Sequence, residues 1–174
     1  MVRFALVLAL AVTAPAHAAD LKTLDCVART ATPAVRTALA TDIERNLSHA
    51  DQKQSYDSAV VAGLRAAALT CQTQHKWTDA AMQSAILYAV PTLGMATAQR
   101  LAAANRLNYA ALETRFMALP TAERIDALNA AVLGKLAAGA VEAGDVIDTN
   151  ANLAGGIFGL LAVREKARSD FAAN

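Results

Sequence analysis

Cysteine, proline, aromatic side chains and net charge are all scarce in this chain of 174 residues. Each scarcity excludes something. The only cysteines are Cys26 and Cys71. They form no C-x-x-C pair, which removes a thioredoxin-like redox centre and the paired knuckle of a structural zinc site. There is also no C-x-x-C-H for covalent c-type haem. Sixteen basic residues face fifteen acidic ones, so the chain is nearly neutral. With both signs interspersed, it carries no electrostatic footprint for nucleic acid.

Aromatic residues make up 5% of the chain, and alanine fills the gap. Such a core packs closely, but each side chain buries little area. A covalent staple would therefore help. Of the four prolines, only Pro33, Pro91 and Pro120 follow residue 18. Period-two alternation is absent, and Val, Ile and Thr are not bunched as strands require. Apolar residues recur at three- and four-residue steps instead. The pattern predicts an all-α helical bundle of about six to seven helices.

Catalytic motifs are missing too. No G-x-S-x-G occurs, and the Gly155-Gly156 pair lies in an apolar run with no lysine after it, unlike a phosphate loop. Beyond residue 18 the only histidines are His49 and His75, both in or beside polar links.

The first 18 residues read as an export signal. Met1-Val2-Arg3 is a short basic start, Phe4 to Val12 is apolar, and Ala16-His17-Ala18 offers a cleavage box. The apolar run is short for a bilayer span, which needs about 20 residues. Cleavage after Ala18 is the expectation, leaving residues 19–174 as one helical domain. The destination is the periplasm of a Gram-negative bacterium, or secretion from another source. The segment 1–18 holds one basic residue and no acidic one, so residues 19–174 balance at neutrality.

Seven helices are expected along the remaining chain. The first spans about 21–31, with Leu21, Leu24, Ala28 and Ala31 as its stripe. Thr32-Pro33 opens a second that runs to Leu47. A third covers about 52–73, capped by Ser48 or Asp51, with Tyr56, Val60, Leu64, Ala68 and Cys71 on one face. Thr78-Asp79 opens a fourth, whose stripe runs through Pro91 to Leu101, as one kinked helix or two collinear ones. Asn108 caps a fifth over 109–118. A sixth covers 121–143, with Ile125, Leu128, Val132, Leu136 and Ala140 in step, and Gly144 stops it. Asp145 is the natural cap for the segment that follows. A charge-free helix then spans about 150–163, with a charged tail from Arg164 to Asp170 expected as exposed helix.

Three sets of residues are candidates for chemistry. In an oxidising compartment Cys26 and Cys71 pair, although Cys26 points away from the first helix's stripe on an ideal helix. Cys71 and His75, four apart, with Cys26 and His49, form a scattered alternative ligand set. Glu142, Asp145, Asp148 and Asn150 gather near a helix junction without the spacing of a calcium loop. In the last helix Gly155 and Gly159 share a face. A helix accepts glycines where a neighbouring backbone comes close, or where a membrane or oligomer interface of the small-xxx-small type forms.

The expectation is an exported, non-catalytic helical protein that binds an envelope protein or an apolar ligand in a groove between helices, with no cofactor. The alternative is a small exported enzyme or metal-binding protein using His75, Cys71 and the acidic cluster at Asp145.

Overall fold

Two long antiparallel helices, α4 (Asp79–Ala104) and α8 (Ala151–Ala173), form the spine of the molecule and share its most extensive contact. The Thr78 hydroxyl at the start of α4 meets the backbone oxygen of Asn174 just past α8. At the other end, the Asn150 amide donates to the backbone oxygen of Asn105 at 2.8 Å. The computed structural model describes residues 19–49 and 53–174. Among these, every regular element is helical, so the all-α expectation holds. The expected export signal, residues 1–18, lies outside the described residues.

The remaining helices wrap this pair. They are α1 (Cys26–Thr30), α2 (Pro33–Ser48), α3 (Ser58–His75), α5 (Tyr109–Met117), α6 (Thr121–Asp126) and α7 (Ala130–Glu142), with 3₁₀ turns at Leu21–Thr23 and Asp148–Asn150. Helices α1, α2 and α3 cover one side of α4, while α5, α6 and α7 lie along α8. The larger buried anchors are Phe116, Phe158, Phe171, Leu112, Ile157 and Leu161. Small residues let the backbones approach between them. A Cβ on Gly94 would stand 2.9 Å from Ile43 Cγ1, so α2 rides directly on α4 there.

Local signals set the helix starts. The side-chain oxygens of Thr32, Thr78 and Asn108 accept backbone N–H bonds from Val35, Ala81 and Ala111, and Pro33 occupies a first-turn position where its missing N–H costs nothing. α4 runs unbroken through Pro91, which is fully buried. Gly144, at φ 76°, ends α7 in the left-handed conformation that glycine adopts without strain.

Five sequence expectations are corrected. The first helix is a 3₁₀ turn followed by the short α1: Leu21 is exposed, while Leu24, Ala28 and Ala31 of the expected stripe are buried and Cys26 and Val27 are buried beside them. The third helix starts at Ser58 with Asp57 as its cap, and Tyr56 lies before it. The segment from Thr121 splits into α6 and α7 because Asn129 caps a new helix, its side-chain Oδ1 accepting from the Ala131 N–H, which leaves Leu128 exposed. Asp145 caps nothing; its carboxylate pairs with Arg115. Finally, the charged tail belongs to α8 and packs, with Ala167 and Phe171 buried.

Candidate functional site

Cys26 and Cys71 form a disulfide, with 6.0 Å between their Cα atoms and a sequence separation of 45. α1 packs against both α3 and α4, so Cys26 is buried as well as the stripe residues Leu24, Ala28 and Ala31. Both cysteines are buried, and the Thr30 hydroxyl lies 3.6 Å from Cys71 Sγ. The segment holding Cys26 is also fastened without the bond. Arg36 donates to the carbonyls of Ala28, Arg29 and Ala31, and Trp77 Nε1 donates to Thr23 Oγ1 at 3.0 Å.

The disulfide removes Cys71 from nucleophilic or thiolate-ligand chemistry. His75, one turn further on, stacks on Trp77 with 5.4 Å between ring centroids. Its Nε2 is buried and meets no hydrogen-bond partner. His49 stands exposed at the end of α2, its Nδ1 3.1 Å from the Arg45 carbonyl oxygen. The structure therefore does not gather the histidines and cysteines around one point. Asp145 is tied to Arg115 at 3.0 Å, while Glu142 and Asp148 stay exposed. Among the described residues no group of three or more His, Cys, Asp and Glu side chains could hold a metal ion.

The two glycines singled out in the last helix behave differently from a close-packed pair. A Cβ added to Gly155 or Gly159 would meet nothing within 4 Å. The close approach belongs to their neighbour: a Cβ on Gly156 would stand 2.7 Å from Leu47 Cδ2. Gly155 and Gly159 instead form part of the floor of a groove between α7 and α8, with a volume of about 500 Å³. That falls within the usual range of small-molecule sites, about 300–1,000 Å³.

The opposite wall comes from α7, where Ala130, Leu133, Gly134 and Ala137 follow i, i+3, i+4, i+7 spacing and share one helix face. Gly134, too, has nothing within 4 Å of an added Cβ. Asn152 and Gln54 supply the polar groups of the lining, and among the described residues no charged side chain takes part. Three helical glycines thus sit where alanine would fit. Each costs about 0.5–1 kcal/mol relative to alanine, and packing among the described residues does not require any of them.

The expected stripe holds in α7, where Val132 packs on the core and Leu136 and Ala140 are buried, but the sequence does not show that the neighbouring face of Ala130, Leu133, Gly134 and Ala137 lies along α8 as a groove wall. The signal available was the match of Ala130, Gly134 and Ala137 on one face with Gly155 and Gly159 on another. No described helix is long and apolar enough to cross a membrane. Comparison with family models, with curated proteins and with solved structures finds no match for this chain.

Proposed function

We propose that this is an exported, non-catalytic helical protein that binds an uncharged apolar ligand, or the apolar face of a partner protein, in the groove between α7 and α8. The observation that supports the reading most directly is the open floor at Gly134, Gly155 and Gly159. Glycine there keeps the groove deep at a cost in helix stability that the fold does not need. A lining without charge favours a ligand without charge, since a buried ion would find no counter-ion. Export is supported by the basic-apolar-small order of residues 1–18 and by the disulfide, which persists in oxidising compartments.

The test is a fluorescence titration with the uncharged probe N-phenylnaphthylamine, comparing the natural protein with a Gly155→Leu, Gly159→Leu double variant. A Cβ at either position enters open space and leucine favours helix, and circular dichroism checks that the variant keeps its fold. Saturable binding by the natural protein and its loss in the variant support the reading. Equal binding by the two proteins, or none by either, contradicts it.

A further inference from the structure

No further inference is drawn: the strongest candidate outside the α7–α8 groove, the polar pocket where α2 and α4 end and α8 begins, lined by Ser48, Asn105, Thr149 and Asn152, rests on the N-terminus of α8 with no second feature there that points to a ligand.

Discussion

Leu47 and Gly156 fit together as side chain and missing side chain: the Leu47 Cδ2 methyl lies 2.7 Å from where a Cβ on Gly156 would stand. This contact seats α2 on α8 at the edge of the groove, whose lining Gly156 shares with Gly155 and Gly159. It divides three nearby glycines into two kinds. Gly155→Ala and Gly159→Ala should each raise stability by about 0.5–1 kcal/mol, because they gain helix propensity without a clash. Gly156→Ala should lose that gain to overpacking, which costs about 1–3 kcal/mol in a filled core. Urea unfolding of the three single variants gives the order. A Gly156→Ala protein as stable as the other two would show that Leu47 yields freely.

The Cys26–Cys71 bond closes a loop of 45 residues. The chain-entropy account gives it roughly 4 kcal/mol of stabilisation, an upper-end value. Reduction should lower the unfolding free energy by up to that amount and leave the native arrangement in place. Arg36 still holds the end of α1, and Trp77 still holds Thr23. Trp77 is the only tryptophan, is buried, and meets Phe171 edge-on at 5.1 Å. Its emission should therefore stay blue-shifted in the reduced protein without denaturant. A red shift on reduction alone would mean that the covalent bond, not the packing, keeps this end of the molecule together.

Alkaline pH should weaken the fold through two tyrosines. Burial pushes the Tyr56 hydroxyl above its ordinary value of 10.0; the Asn46 amide opposes the rise and the Asp42 carboxylate adds to it. Burial also raises Tyr109, with Glu113 adding to the effect and Arg164 and Gln99 opposing it. Below the unfolded value both states are neutral and the contribution is complete. As pH rises past it, the unfolded chain ionises first and stability falls until the folded tyrosines titrate. Denaturant midpoints measured from pH 8 to 11.5 should decline above about pH 10. Tyr109→Phe should make the decline shallower while losing the bond from its hydroxyl to Met95 Sδ. An unchanged alkaline slope in that variant would remove Tyr109 from the account.

Much of the fold could be read from short-range signals. Thr32-Pro33, Thr78 and Asn108 mark helix starts through the hydrogen bonds their own side chains make, and Gly144 marks a stop through its backbone freedom. The disulfide followed from compartment and count. What failed was local. α1 packs on two sides, against α3 and α4, so Cys26 is buried beside Leu24, Ala28 and Ala31, and the break before α7 leaves Leu128 exposed while Leu136 and Ala140 stay buried. The groove was half legible. Gly155 and Gly159 were visible as a pair, but a glycine facing a groove and a glycine facing Leu47 look alike in sequence. Only the distances around Gly156 separate them.

The groove itself is tested most directly by selective ¹⁵N-glycine labelling, because the eight glycines are spread over the molecule. Gly134, Gly155, Gly156 and Gly159 line the groove, whereas Gly63 packs on Val35 and Gly94 on Ile43. The protein is titrated with N-phenylnaphthylamine and the amide shifts of all eight are followed. The account predicts progressive shifts at the four groove glycines, with Gly63 and Gly94 unmoved. Shifts centred on Gly63 or Gly94, or no shifts at saturating probe, would contradict it.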